Sequence, residues 1–269
     1  MAGGYTGRMA SMTRRREELR LLLLQIRDEP RIRREEHESF ASCCGLAGTQ
    51  IEILNVFDRP APQPGAADGF DALLVGGASE ANVLEPRRYP FIAPCMEILL
   101  HCADRGTPVF ASCFGFQLAV LALDGSILHQ DRDFEMGTIP IRLGEAAAGD
   151  PLFADIPDDF PAVSVHRQLA TEAPAGCETL AFTDACCHAF RIRERPFWAF
   201  QFHPEVDRRT LVERLTLFKA HYTDDDGHLD RVLEAACETP ESNALPRKFV
   251  DRVLLGAPPG YCRAARSMP

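Results

Sequence analysis

Two stretches of the chain carry residue types that could perform covalent chemistry. The first, Pro108-Val109-Phe110-Ala111-Ser112-Cys113-Phe114-Gly115-Phe116-Gln117, reads as a short apolar strand and a sharp turn bearing one cysteine. A helix follows, which the pattern carries over Leu118 to Leu123. Small residues let the chain bend there, and a helix N-terminus beneath a thiol favours its thiolate, so a turn of this kind can hold up a nucleophile. The second stretch, Phe197 to Glu205, is an apolar strand that ends in His203-Pro204-Glu205. Pro204 stops the strand ladder. His203 can then reach a thiol on a neighbouring strand end and act as its base. Glu205, two residues on, can fix the tautomer and stabilise the imidazolium. An imidazole titrating near neutrality suits both deprotonation of a thiol and protonation of a departing amine. Alone, a cysteine at a turn is more often a small buried hydrophobe, and His-Pro-Glu is more often a surface turn. The inference rests on finding both at the ends of apolar strands.

The remaining chemistry-bearing residues say less. There are 10 cysteines, with Cys43-Cys44 and Cys186-Cys187 adjacent, and neither a CxxC pair nor a zinc-type spacing occurs. Cys186-Cys187-His188 could be mistaken for ligands, but adjacent strand residues face opposite ways, so these are read as buried strand positions. No metal and no cofactor is expected. The net charge of −10, with no basic stripe interleaved with aromatics, argues against a nucleic-acid partner. Arg14-Arg15-Arg16 is read as part of a solvated, poorly ordered lead-in. The leading apolar run, Leu21 to Ile26, is too short for a signal peptide or a membrane span. No membrane partner is expected, and a reducing cytoplasm with free thiols fits.

The elements that must position Cys113 and His203 follow from the order of apolar runs. Leu19 to Ile26, Ile51 to Phe57 and Asp71 to Val75 read as buried strands, the last running into Gly76-Gly77. A charged stretch, Asp28 to Ser42, and a Pro/Ala/Gly loop, Pro60 to Gly69, lie between them. Ile92 to Arg105 has helical spacing and precedes the Cys113 strand. Strands alternating with helices predict an α/β domain with a mainly parallel sheet, whose sites gather at the carboxyl ends of strands. Ser126–His129, Thr138–Leu143, Ala162–Val165, Thr179–Phe182, His188–Arg193 and Phe197–Phe202 predict short strands and antiparallel additions to the sheet. Beyond Pro204 the pattern is helical: Arg208–Tyr222, His228–Cys237 and Glu241–Leu255, with a break at Asp224-Asp225-Asp226-Gly227 and a Pro/Gly-rich tail from Ala257. The expected division is a lead-in over 1–18, a catalytic domain over 19–222 and a helical extension over 223–269.

With these motifs in place, the chain resembles the class I (triad-type) glutamine amidotransferases over about Leu19 to Tyr222. That family carries G-x-C-x-G-x-Q at its nucleophile and H-P-E at the end of a later strand. Here the first reads Ala111-Ser112-Cys113-Phe114-Gly115-Phe116-Gln117 and the second is intact. The resemblance implies a flavodoxin-like open sheet with helices on both faces. It also implies a Cys113–His203–Glu205 triad that cleaves the side-chain amide of glutamine through a γ-glutamyl thioester. The oxyanion hole would be the backbone N–H of Phe114 and one from Gly76-Gly77. Gln117 resembles the family's substrate-binding glutamine, with a capping role inside the helix as the alternative. Ser164-Val165-His166 resembles the loop that lines the glutamine pocket in stand-alone relatives of the GMP synthase amidotransferase domain. His166 is there a pocket residue or a structural histidine. Ala111 replaces the first glycine of the family's turn, Phe116 stands where many members have His or Tyr, and Arg167-Gln168 replace a frequent Gly-Asp pair.

Three functions fit. The first is a glutaminase that hands ammonia to a separate synthetase, the second a free-standing hydrolase of γ-glutamyl amides or peptides, the third a non-catalytic protein of the same fold. The chain has no ATP-binding GxxxxGK[ST] signature, and the intact Cys/His/Glu set argues against the third.

Overall fold

The computed structural model describes residues 14–131, 134–217 and 226–258. The leading apolar run forms β1 (Leu21–Gln25), buried throughout. It lies between β2 (Ile51–Asn55) and β3 (Ala72–Val75), parallel to both. Next to β3 comes β4 (Val109–Ser112), and next to β4 comes β11 (Phe197–Phe200), again in parallel. Four-residue apolar runs suit such strands, which are covered on both faces. Beyond β11, the strands β10 (Cys187–Ile192), β9 (Cys177–Phe182), β6 (Met136–Leu143) and β7 (Asp159–Val165) continue antiparallel. The result is one nine-stranded sheet ordered β2-β1-β3-β4-β11-β10-β9-β6-β7. A small ribbon pairs β5 (Leu128–His129) with β8 (Gln168–Leu169).

Side-chain alternation along the strands feeds two cores. Val109 and Ala111 face the core shared with α2 (Ile92–Arg105) and α3 (Phe114–Ala122). Phe110 faces the opposite core, shared with α1 (Pro30–Cys44), Trp198 and Phe200. After α4 (Arg208–Leu217) come α5 (Asp226–Ala235), α6 (Pro240–Asn243), α7 (Leu245–Lys248) and a π-helical turn over Phe249–Leu254. Leu245, Phe249 and Val250 are buried in the core that holds Phe110 and Trp198, and Leu229 joins Met136 and Val163 in a third. The C-terminal helices thus pack against the sheet.

Two departures from the sequence reading have local causes. The charged stretch after β1 is helix α1, with Ile32, Glu36, Phe40 and Cys44 buried at four-residue spacing. Its many charges hide that stripe. Pro30 starts it and Gly45, at φ 63°, ends it. The single helix expected over Glu241–Leu255 is broken into α6, α7 and the π turn, because Pro246 supplies no N–H to continue the ladder. The far end of the expected 208–222 helix, Asp224-Asp225, the first thirteen residues and the tail beyond Pro258 lie outside the described residues.

The only tryptophan, Trp198, donates its Nε1–H to Asp150 at 2.9 Å. Asp150 also accepts from the Leu152 backbone at 2.8 Å and pairs with Arg191 at 3.1 Å. Asp150→Ala leaves those donors without their partner in a buried site. It is expected to cost about 2–4 kcal/mol, read as a lower urea midpoint by Trp198 fluorescence.

Candidate active site

Cys113 sits where β4 hands over to α3, with φ 49° and ψ −97°. Positive φ is unfavourable for a residue with a Cβ, so the backbone is strained at Cys113. The strain is held by its surroundings. The Cys113 N–H donates to Phe200 O at 2.7 Å, tying the turn to β11. Gly115 lets α3 close on the sheet: a Cβ there would lie 2.9 Å from Val75 Cβ and 3.1 Å from Ala111 Cβ. Ala111 therefore replaces glycine without opening the turn. Phe116 packs in the core against Phe190.

His203 follows the end of β11, the strand beside β4, and its N–H donates to Val163 O at 2.8 Å. Its Nδ1 is 2.8 Å from Glu205 Oε1. Burial would lower the imidazole's pKa, but the charge of Cys113, the charge of Glu205 and hydrogen bonds to both raise it to about 9. Burial likewise pushes the Glu205 carboxyl up, and His203, helped by Arg214, holds it below its ordinary range. Because Nδ1 is committed to Glu205, Nε2 is the nitrogen left for the thiol. Gln201, fully buried two residues earlier, brings its Nε2 to 4.0 Å from Cys113 Sγ.

The Gly76-Gly77 turn passes over a buried ion pair that the sequence reading did not pick out. Arg27 Nε donates to Glu36 Oε1 at 2.8 Å, and Arg27 Nη1 donates to Ser79 Oγ at 2.8 Å. A Cβ at position 76 would meet Glu36 Oε1 at 2.6 Å. One at 77 would meet Arg27 Nη2 at 2.8 Å and His203 Cε1 at 2.9 Å. Both glycines are thus demanded by close approach. The signal was available: Arg27 is a charge closing a buried, largely apolar run, and Glu36 lies on the buried stripe of α1. Arg27→Met strands the Glu36 carboxylate in the interior and is expected to cost about 3–5 kcal/mol in urea unfolding. The double change Arg27→Met with Glu36→Leu should recover most of it.

The family model for class-I glutamine amidotransferases matches residues 39–219. The chain belongs to this family. It is 38% identical over 166 residues to the GMP synthase [glutamine-hydrolyzing] of Mycobacterium marinum, covering 60% of this chain and 29% of that one. It is 35% identical over 168 residues to its counterpart from Mycolicibacterium paratuberculosis, with the same shares. The chain thus spans less than a third of the length of these relatives. Among solved structures, a glutamine amidotransferase from Thermotoga maritima superposes with a TM-score of 0.67 at 16% identity, covering 88% of this chain and 98% of that one. One from Methylobacillus flagellatus gives 0.67 at 15% identity, covering 91% and 97%. The fold is flavodoxin-like, as the resemblance implies.

His203 faces a cleft of about 460 Å³ whose lining includes neither Cys113 nor Glu205. Val165, His166 and His203 are on its wall, with Arg27, Ser79 and Arg214. Several of the expected residues take other positions. The Gly76 N–H is spent on Leu24 O at 3.1 Å, so of the two turn glycines only Gly77 remains for an oxyanion. Phe114 is the first residue of α3, and its N–H has no partner within the helix. Gln117 is buried and donates its amide to Gln168 O at 3.2 Å, a link between α3 and the β8 ribbon. Ser164 is fully buried and does not line the cleft, since alternation turns it away from the side that Val163 and Val165 present. The His166 ring packs inward, with Nε2 3.0 Å from Glu135 Oε2. Among the described residues, no helix is long and apolar enough to cross a membrane, and the cysteines are free thiols.

Proposed function

We propose that this amidotransferase hydrolyses the side-chain amide of glutamine through Cys113, His203 and Glu205. The observation that carries the reading is a cysteine held at φ 49° on the strand end beside His203, whose Nδ1 is 2.8 Å from Glu205 Oε1. The Cys113 thiolate attacks the δ-carbonyl carbon. The negative charge that develops on oxygen is met by the N–H groups of Phe114 and Gly77; losing one such donor costs ~2.7–4 kcal/mol of barrier. The carbon–nitrogen bond breaks as His203 Nε2–H protonates the departing nitrogen, and ammonia leaves. His203, now neutral, takes a proton from water. The resulting hydroxide attacks the thioester, glutamate departs, and the thiolate is restored. Glu205 holds the ring and offsets its charge in both halves. Val165 and His166 would wall the glutamine pocket.

The unit that carries this chemistry would span 19–222, with 223–269 as a C-terminal helical extension and tail. Ammonia would pass to an acceptor site on a separate synthetase, by analogy with the much longer GMP synthases. One observation favours the second reading, hydrolysis of larger γ-glutamyl amides. A cleft of about 460 Å³ lies within the range that holds drug-sized ligands, and Arg167-Gln168 line it where the family often has Gly-Asp. Ammonia release from glutamine, measured beside release of amine from a series of γ-glutamyl peptides, separates the two. Turnover of the peptides without turnover of glutamine would sink the glutaminase reading.

A further inference from the structure

Behind the cleft wall lies a second cluster that the triad does not use. Glu135 stands just before β6, His166 between β7 and β8, Cys186 just before β10, and His188 within it. Each offers one ligand-type atom, and these atoms all lie within 4.8 Å of one another. We infer that they form a closed Zn²⁺ site, with Glu135 Oε2, His166 Nε2, Cys186 Sγ and His188 Nε2 as ligands. This inference does not rest on the hydrolase reading.

The alternation rule, applied to Cys186-Cys187-His188, removes only Cys187, which joins the apolar core. Residues i and i+2 share a face, so Cys186 and His188 point the same way. His188 Nε2 is 2.7 Å from Glu135 Oε2 and 3.3 Å from Cys186 Sγ. Cys186 Sγ is 3.6 Å from the same carboxylate oxygen. Zn–ligand bonds of about 2.0–2.3 Å in a tetrahedron require edges of roughly 3.3–3.6 Å. These edges run from 2.7 to 3.6 Å, so the shortest must open by roughly half an ångström to accept the ion.

Hydrogen bonding does not account for the convergence. One imidazole nitrogen has one proton or one lone pair, yet His188 Nε2 faces both a carboxylate and a thiol. His166, whose side chain is 1% exposed, faces that same carboxylate oxygen at 3.0 Å, so three side chains converge on one oxygen. A cation at the centre takes a lone pair from each. The carboxylate is oriented for this by Thr183, whose hydroxyl donates to Glu135 Oε1 at 2.7 Å and turns Oε2 inward. Such outer partners are what aim metal ligands.

The donor set selects the ion. One sulfur, two imidazole nitrogens and one carboxylate oxygen suit zinc and disfavour magnesium or calcium. Coordination takes Cys186 as thiolate, its proton going to solvent, and both imidazoles neutral. Thiolate and carboxylate together then balance the ion's charge, as a buried site needs. Four protein ligands leave no open position, so the role is structural. The ion would clip together three chain segments, including the loop three residues beyond Val163, whose carbonyl holds the His203 backbone.

The test uses the full chain, purified without chelator. Elemental analysis should find a single equivalent of zinc, and removing it should lower the melting temperature. Co²⁺ substituted for zinc should give a thiolate-to-metal absorption band. That band should survive Cys113→Ser and vanish in Cys186→Ser, and His188→Gln should bind at least about tenfold more weakly. Failure of the wild-type chain to retain added Zn²⁺ or Co²⁺ through dialysis overturns the inference. So does a band lost with Cys113→Ser and kept in Cys186→Ser, which would place the metal on the triad cysteine. Iron or copper in place of zinc, dependent on Cys186, overturns the zinc assignment.

Discussion

Cys113→Ala is expected to lower ammonia release by ~10⁴–10⁶-fold, the loss typical when a nucleophile that acts as part of a unit is removed. Binding should survive, since the Gly77 turn and the cleft wall are untouched. Isothermal titration with glutamine separates the two effects. Stability gives a second readout that an ordinary buried cysteine would not. The backbone at position 113 has φ 49° and ψ −97°, strain of order 1–3 kcal/mol for a residue with a Cβ. Alanine inherits that strain and glycine relieves it. Cys113→Gly should therefore be more stable than Cys113→Ala by about 1 kcal/mol, once glycine's greater chain entropy is counted, while being equally inactive. Equal stabilities would mean that the turn is not strained.

What the sequence disclosed was decided by locality. The Cys113 turn and His203-Pro204-Glu205 are each contiguous, each at the end of an apolar run, so their chemistry could be read without knowing the sheet. The parallel strands were legible for the same reason: runs such as Leu21–Leu24 have no other stable use. Helix α1 was not legible, because seven of its fifteen residues are charged or histidine and its buried stripe includes Glu36, which becomes apolar-compatible only through Arg27. At the Gly76-Gly77 turn the roles open to the two N–H groups depend on β1: Leu24 takes the Gly76 N–H, which only the register of β3 against β1 can decide. His166 was read as wall or scaffold from one loop. Its inward turn depends on Glu135 and His188, some 30 and 20 residues away, and no local pattern announces such a meeting.

Glu205→Gln tests how the pieces act together. The carboxylate accepts from His203 Nδ1 at 2.8 Å, which leaves Nε2 facing the thiol. A neutral amide can present either its oxygen or its NH₂ to Nδ1, and the latter selects the wrong tautomer. The loss of kcat is expected to be ~10²–10⁴-fold, toward the upper end if the tautomer is lost. The pH profile carries the sharper argument. His203 must be an imidazolium to protonate the departing amine, so kcat/KM should fall as pH rises through its raised pKa of about 9. Removing the Glu205 charge takes away one of the two influences that hold the proton there. The alkaline limb must then move to lower pH. Direct titration of the imidazole by NMR should show the same displacement. A slower enzyme whose alkaline limb has not moved would mean that Glu205 only orients the ring. A limb that moves upward would mean that the falling limb belongs to a different group.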